Sequence, residues 1–278
     1  MAKLHSRSRS VPVALTIAGS DSGGGAGLHA DLKTFTALGV HGTTAVTCLT
    51  AQNPRRVLAI TPCPHAMLLA QLNAVWEELP PAAIKTGMLG NAATVRLLVD
   101  FFRQHPGPPF VLDPVMVATS GARLLTPAAI KLLLADFLPL ATLVTPNVDE
   151  TEILIGDKPA TVDDLRTTAR QIHGRYGCAA LVKGGHLPDP RTAVDIFFDG
   201  KTELFLAAPF IRGLKTHGTG CTYSAAITAG LARGLKLPDA VTRAKHYITR
   251  AIAGSYRTHG HPVLQHHSTN LAPAFGPH

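Results

Sequence analysis

Short apolar runs alternate with longer segments of helical periodicity along most of the chain. The run "VPVALTIAG" predicts a strand, and the next segment, "AGLHADLKTFTALGV", repeats apolar residues at the spacing of one helix face. The same alternation continues from "TTAVTCLTAQN" to "AALVKGG". Strands that alternate with helices in this way predict a three-layer α/β/α fold with a mostly parallel central sheet.

The rhythm changes in the last third of the chain. In "AVDIFFDGKTELFLA" two strand-like runs meet at Asp199 and Gly200, which predicts a β-hairpin. Two helices are then predicted, from Thr222 to about residue 235 and from Pro238 to about residue 258, followed by a loop-like tail. We expect one domain over residues 11–267, with a disordered tip at 1–10 and a C-terminal tail at 268–278.

Composition narrows the class of protein. The 278 residues are 46% hydrophobic and 16% charged, which is typical of a globular enzyme. The net charge is +8, but only "HSRSRS" forms a basic cluster, so a nucleic-acid partner is not favoured. The four cysteines are scattered, and no apolar run is long enough to span a bilayer. We therefore expect a cytoplasmic protein without disulfides, structural zinc or a membrane partner.

Polar and glycine-rich segments follow the predicted strands at their carboxyl ends. They are "GSDSGGGAG", "TAQN", "GML", Asp113 in "LDPVM", "TPNVDE" and "KGGH". In an open parallel sheet the ligand binds outside this edge, so these segments are expected to form one site. The segment "GSDSGGGAG" lacks the lysine of a P-loop, and no acidic residue follows the next strand as a dinucleotide site would require.

The segment "KTHGTGCTYSAAI" combines glycines with the start of a helix. Gly218 and Gly220 allow the backbone to approach an anion, and the N–H groups of residues 219–222 would bind it at the positive helix end. Cys221 stands in the same turn. A thiol at a helix N-terminus can have a lowered pKa and act as a base, although a bound polyphosphate opposes that shift.

Together these segments resemble the hydroxymethylpyrimidine and phosphomethylpyrimidine kinases of thiamine biosynthesis, which belong to the ribokinase-like superfamily. The pairing of "AGSDSGGGAG" with "HGTGCT" is the most specific feature of the resemblance. It implies a ribokinase-like fold and a homodimer. It also implies that ATP and Mg²⁺ are used to phosphorylate 4-amino-5-hydroxymethyl-2-methylpyrimidine to its monophosphate and then to its diphosphate.

The resemblance also assigns roles to individual residues. It implies an anion hole at Gly218, Thr219 and Gly220, with Cys221 as the candidate base. The residues implied to bind the pyrimidine are Gln52, Asp31, Gly19, Ala26, Met88 and Val115. Those implied to bind the nucleotide phosphates are Lys183, Asn147, Thr216 and His217, and those implied to hold Mg²⁺, in part through water, are Asp113, Asn147 and Glu150.

Alternative interpretations stay open at this point. Asp31 could instead interact with the dipole at the N-terminus of a helix. Gln52 could cap a loop, and His217 could have a purely structural role. The nearest rival function is a pyridoxal or pyridoxine kinase on the same scaffold. The loop "VATSGARLL" lacks the second cysteine that some pyridoxal-phosphorylating relatives carry, which favours an alcohol substrate. The distant rival is a non-catalytic protein that binds a pyrimidine or nucleic acid, and it would not need a phosphoryl-transfer apparatus.

Overall fold

The computed structural model describes residues 10–116, 124–185, 187, 191–211 and 217–267. Its strands are β1 (Val13–Ala18), β2 (His41–Val46), β3 (Cys48–Asn53), β4 (Arg56–Pro62), β5 (Ala83–Thr86), β6 (Phe110–Leu112), β7 (Leu143–Val144), β8 (Ala179–Lys183), β9 (Thr192–Phe198), β10 (Glu203–Pro209), β11 (Tyr256–Thr258) and β12 (His261–Val263). Its α-helices are α1 (Gly27–Ala37), α2 (His65–Glu78), α3 (Ala92–Gln104), α4 (Pro127–Leu132), α5 (Val148–Ile155), α6 (Val162–Tyr176), α7 (Thr219–Ala232) and α8 (Leu237–Ala253).

Within the described residues, an eight-stranded sheet in the order β10-β9-β8-β7-β6-β5-β1-β2 forms the middle layer. The six strands β8, β7, β6, β5, β1 and β2, in this order across the sheet, each run parallel to their neighbours. Strands β9 and β10 add an antiparallel hairpin at one side, and the chain turns there at Asp199 and Gly200. The predicted parallel sheet and the predicted hairpin are both confirmed.

Helices cover each face of the sheet because apolar side chains leave the strands on both sides. In β1, Leu15 and Ile17 belong to the core that α2, α3, α4 and α6 cover, whereas Ala14 belongs to the core beneath α1, α7 and α8. All three side chains are fully buried. Burial on both faces explains why the strands read as continuous apolar runs, and the three-layer α/β/α fold is confirmed.

The segment "TTAVTCLTAQN" does not form the single strand that its composition predicts. Strand β2 ends at Val46, and β3 pairs with β4 in a separate two-stranded sheet, here called the flap (residues 48–62). Thr47 fixes the bend, because its N–H donates to the carbonyl of Ala18 at 3.0 Å and its hydroxyl to the carbonyl of Met88 at 2.6 Å. The flap therefore starts at the edge where the parallel strands end.

The C-terminal segment also differs from the prediction. Helix α8 ends at Ala253, before the predicted end at about residue 258. The last predicted helical residues form β11 instead, and β11 pairs with β12 in the segment that was predicted as a loop. After this hairpin the chain returns to the protein interior, where Leu264 and His266 are buried. Among the described helices, none is both long and apolar enough to cross a membrane.

Candidate active site

The first glycine-rich loop, residues 19–27, lies between β1 and α1 and is folded around one carboxylate. Asp21 is 2% exposed and accepts hydrogen bonds from the N–H groups of Gly23, Gly25 and Ala26, at 2.8 to 3.0 Å. Because a carboxylate satisfies several backbone donors at once, the loop has one defined shape.

The HGTGC loop, residues 217–221, packs directly against the first glycine-rich loop. Gly218 has a φ of 85°, and a Cβ at this position would overlap the carbonyl oxygen of Gly25. The Gly218 carbonyl accepts the N–H of Thr222 at 2.9 Å and so begins α7. A side chain at Gly218 would separate the loops, so this close backbone contact requires glycine.

The start of α7 is electrostatically positive. Gly218 has no side chain that could cap the helix, and no acidic residue stands in its first turn. Lys183, at the end of β8, extends to the same turn, because a Cβ added to Gly220 would lie 3.3 Å from the lysine Nζ. A helix N-terminus beside an ammonium group is a suitable environment for a phosphate.

Lys183 is held in this position by Asp113, which follows β6. Its Nζ lies 3.5 Å from Asp113 Oδ1, and the two side chains are 15% and 3% exposed. Asp113 also accepts hydrogen bonds from the hydroxyls of Thr145 at 3.3 Å and Ser224 at 2.9 Å. Burial would lower the pKa of Lys183, but the carboxylates of Asp113 and Glu150 outweigh burial and raise that pKa. Lys183 is therefore an oriented cation.

Asn147 and Glu150 begin α5, a helix that the sequence pattern did not predict. They form a capping box, in which each side chain accepts the backbone N–H of the other at 2.9 Å. In the part of the chain that the structure describes, no three His, Cys, Asp or Glu side chains cluster closely enough to hold a metal ion. Asp113 and Glu150 are nevertheless buried carboxylates near Lys183, and their hard oxygens fit a Mg²⁺ ion that keeps several waters.

A second part of the same edge is lined by small and apolar residues. A Cβ on Gly19 would lie 2.6 Å from Cys48 Sγ and 3.6 Å from Met88 Sδ, so these three residues share one wall. Ala26 is buried in the first glycine-rich loop. Val115 is half-buried with a φ of 32°, which is rare for a β-branched residue. No sequence motif marks Cys48 as part of this wall.

Gln52, on β3 of the flap, extends to the HGTGC loop. Its side-chain nitrogen lies 3.1 Å from His217 Nε2, which is itself 3.1 Å from Asp21 Oδ2. The structure therefore brings Gln52 and His217 together and directs Nε2 toward the first glycine-rich loop. Thr216 lies outside the described residues.

A buried ion pair lies near Cys221. Lys85 Nζ is 2.9 Å from Asp31 Oδ2, both side chains are 0% exposed, and the Thr16 hydroxyl donates to the same carboxylate oxygen at 2.6 Å. Burial would lower the pKa of Lys85, but the negative charge of Asp31 outweighs burial and raises that pKa. Lys85 is therefore a cation inside the protein.

The pKa of the Cys221 thiol differs from the expectation for a helix N-terminus. Burial raises this pKa to about 11, although the charge of Lys85 opposes the rise. The cost of desolvating a thiolate therefore exceeds the favourable effects of the lysine and of the hydrogen bond from the Gly27 backbone. Cys221 is a neutral thiol at pH 7 when no ligand is bound.

The C-terminal segment supports the same helix start. His266 Nε2 lies 3.1 Å from the hydroxyl of Thr222 in the first turn of α7, and the Tyr247 hydroxyl donates to the His266 carbonyl at 2.9 Å. Burial lowers the pKa of His266 to about 4, so its ring is neutral at physiological pH. No motif marks this contact, because its partners are 44 positions apart.

Comparison with known proteins assigns the chain to a family. The family model described as phosphomethylpyrimidine kinase matches residues 21–266, which is most of the chain. The chain belongs to the phosphomethylpyrimidine kinase family. The family expected from the motifs is thereby confirmed.

Individual members of the phosphomethylpyrimidine kinase family and related kinases agree with this assignment. A hydroxymethylpyrimidine/phosphomethylpyrimidine kinase of Rhizobium meliloti (strain 1021) is 48% identical over 248 residues, which cover 88% of this chain and 92% of that protein. The solved phosphomethylpyrimidine kinase of Clostridium difficile 630 is 38% identical, with a TM-score of 0.77 over 87% of this chain and 99% of that one. An ADP complex of Bacillus subtilis pyridoxal kinase is also 38% identical, with a TM-score of 0.85 over 92% and 98%.

In this phosphomethylpyrimidine kinase family member, Asp31 does not face the pocket as expected from the sequence. Its side chain is fully buried between α1 and the sheet, and a carboxylate in that layer requires a cationic partner. Lys85 is that partner, and it is the main candidate residue that sequence reasoning missed. The available signal was a lysine within "AIKT", an otherwise apolar strand that is buried throughout.

Replacing Lys85 by methionine would leave the Asp31 carboxylate buried without its cation. We expect the free energy of unfolding of Lys85→Met to fall by about 3–5 kcal/mol, because the desolvated carboxylate loses its partner. The double variant Lys85→Met/Asp31→Asn removes both charges and should recover at least half of the loss. Urea unfolding followed by circular dichroism measures both changes. A loss below about 1 kcal/mol in the single variant would contradict a buried, mutually compensating pair.

Proposed function

We propose that this chain transfers the γ-phosphoryl group of ATP to 4-amino-5-hydroxymethyl-2-methylpyrimidine, and then to the resulting monophosphate, in thiamine biosynthesis. The observation that carries the proposal is the meeting of the HGTGC loop, Lys183 and Cys221 at the carboxyl edge of the sheet. A protein that only bound a pyrimidine or nucleic acid would not need this arrangement. The names of the related kinases support the substrate.

In the first step, the hydroxymethyl oxygen attacks the γ-phosphorus, a new O–P bond forms, and the bond to the departing ADP breaks. The N-terminus of α7 and the Lys183 ammonium stabilise the charge on the transferring phosphoryl oxygens. Gly220 leaves room for these oxygens, because a Cβ there would approach Lys183 Nζ and Asp113 Oδ2, at 3.3 and 4.0 Å. Asn147, which bridges to Lys183 through the backbone, is assigned to the nucleotide phosphates.

We assign the binding of hydrated Mg²⁺ to Asp113, Asn147 and Glu150. When bound, the ion neutralises negative charge on the ATP phosphates. The sequence implied that His217 contacts the nucleotide phosphates. We assign it a place beside the pyrimidine instead, because its Nε2 lies next to Asp21 and Gln52.

The pyrimidine is assigned to the region between the flap and the first glycine-rich loop, beside the wall that Gly19, Cys48 and Met88 share. Gln52 offers one donor and one acceptor to the amino group and the adjacent ring nitrogen, as an amide does on the edge of adenine. The remaining residues supply shape and apolar surface, and they are Gly19, Ala26, Met88 and Val115. Asp31 acts indirectly, by holding Lys85 near Cys221.

Cys221 is assigned as the base that accepts the hydroxymethyl proton in the first step. The attacking group in the second step is a phosphate monoester, which is already ionised above a pH of about 6 and needs no base. Cys221 should therefore affect the first phosphorylation more than the second.

The function is tested by incubating the protein with Mg-ATP and either the hydroxymethylpyrimidine or pyridoxal, and following the products by mass spectrometry. The pyrimidine should give its monophosphate first and its diphosphate later. Pyridoxal phosphate as the sole product would instead show that the chain is a pyridoxal kinase. Pyridoxal is the appropriate comparison because the fold is highly similar to that of a pyridoxal kinase.

The raised pKa of Cys221 gives the first step a distinct pH dependence. With a thiol pKa of about 11, the thiolate fraction is small at neutral pH. We expect kcat/KM of the first step to rise about tenfold per pH unit between about pH 7 and 9 in the wild type, and to stay flat in Cys221→Ser. The second step should be flat in both proteins. Equal slowing of both steps by Cys221→Ser would contradict the assignment.

We also propose that the protein is a homodimer that associates through the flap. Large apolar side chains are exposed on the flap and at the start of α2, and they are Leu49, Leu58, Ile60, Met67 and Leu69. An isolated two-stranded sheet is marginally stable, and a second copy would cover this surface. The mass of the wild type measured by light scattering should be twice the chain mass of 29.3 kDa. The measured mass of Leu58→Lys should fall toward that of the monomer. A monomeric wild type at micromolar concentration would contradict the proposal.

A further inference from the structure

The backbone of Gln52 is fixed independently of its side chain. The Gln52 N–H donates to the hydroxyl oxygen of Ser22, and that hydroxyl donates to the Gln52 carbonyl, both at 2.7 Å. The pairing of β3 with β4 also shifts register between Ala51 and Gln52, which redirects the side chain that follows. The remaining freedom lies in the side-chain torsions, and above all in the orientation of the terminal amide.

His217 is the side chain that meets this amide, and Asp21 determines how it does so. His217 Nε2 lies 3.1 Å from Asp21 Oδ2. Burial raises the pKa of the Asp21 carboxyl, but the hydrogen bonds from His217 and from the loop N–H groups outweigh burial and lower it. Asp21 is therefore ionised and can only accept hydrogen bonds, so the Nε2 atom that faces it must carry a proton.

A protonated Nε2 determines which end of the Gln52 amide faces the histidine. The amide nitrogen stands 3.1 Å from Nε2, and a half-turn of the amide exchanges it for the oxygen. A protonated Nε2 has no lone pair, and its single hydrogen is shared between Asp21 Oδ2 and the amide. Only the amide oxygen can accept a share of that hydrogen, so Oε1 faces His217 and the NH₂ group faces away. The second lone pair of Oε1 stays available to a ligand.

We propose that His217 is a positioning residue that fixes the Gln52 amide in the orientation that matches a 4-aminopyrimidine and rejects a 4-oxopyrimidine. The inference rests on the proposed function and specifies how that function selects its substrate. The amino compound presents an exocyclic donor beside a ring acceptor, whereas the oxo compound presents an exocyclic acceptor beside a ring N–H donor. A fixed amide matches the pattern of the amino compound. With the oxo compound, the amide oxygen would face the exocyclic oxygen, and the amide NH₂ group would face the ring N–H.

Loss of His217 would free the amide to turn and accommodate either pattern. Gln52 is a half-buried residue, and no other hydrogen-bond partner of its side chain is found among the described residues. Sites that hold fixed hydrogen-bonding groups discriminate strongly because a mismatched ligand leaves those groups unpaired. His217 therefore controls the ratio of affinities for the two pyrimidines, and the first glycine-rich loop keeps its fold through Asp21.

The test measures binding of 4-amino-5-hydroxymethyl-2-methylpyrimidine and its 4-oxo analogue by calorimetry without nucleotide. The wild type should prefer the amino compound. His217→Leu should reduce that preference by about tenfold or more, because the amide can turn. His217→Gln should retain it, since an amide that faces Asp21 must present its NH₂ group, which also donates to Gln52. If the leucine variant does not fold, His217→Asn, whose shorter amide does not extend to Gln52, replaces it.

A matched control separates amide orientation from loop integrity. His29 accepts the Asp21 N–H through Nδ1 at 3.1 Å and so contacts the same loop without contacting Gln52. His29→Leu should keep the preference for the amino compound. Equal loss of preference in His29→Leu and His217→Leu, or an unchanged preference in His217→Leu, would overturn the inference while the proposed function stands. A wild type that binds neither pyrimidine would overturn the proposed function and the inference together.

Discussion

The site depends on one backbone contact, the approach of Gly218 to the carbonyl of Gly25. This contact joins the loop after the first strand to the start of α7, two segments far apart in sequence. It puts the helix N-terminus beside Lys183 and puts His217 beside Asp21. A larger residue at Gly218 would open the interface between the loops, and both the phosphate end and the pyrimidine end of the site would lose their geometry together.

Paired charges maintain this geometry beneath the surface. Three lysines are each held by an aspartate, in the pairs Lys85–Asp31, Lys183–Asp113 and Lys245–Asp195. In the third pair, Asp195 also accepts the N–H of the residue after Lys183, at 3.1 Å, and so anchors the end of β8. Preorganised cations need little rearrangement when a charged ligand arrives, which is the electrostatic requirement of phosphoryl transfer.

The sequence was sufficient for features that depend on local patterns. Continuous apolar strands predict a parallel sheet because both faces are buried, and the glycines of "HGTGC" predict a tight backbone turn into a helix, which Gly218 makes at the start of α7. The sequence was insufficient for features that depend on contacts between residues far apart in the chain and on their burial. Asp31 and Lys85 are 54 positions apart, so their pairing has no local signature. The pKa of Cys221 follows from its desolvation, which a motif does not reveal, and the departure of the flap depends on tertiary hydrogen bonds of Thr47.

The most direct test of this account is the activity of Gly220→Ala beside a control, Gly174→Ala. A Cβ on Gly174 in α6 meets nothing within 4 Å, whereas a Cβ on Gly220 occupies the space beside Lys183 Nζ. We expect both variants to fold, and we expect Gly220→Ala to lose about a hundredfold or more in kcat for pyrimidine phosphorylation while the control is unchanged. Equal activity of the two variants would contradict the placement of the transferring phosphoryl group at the HGTGC loop.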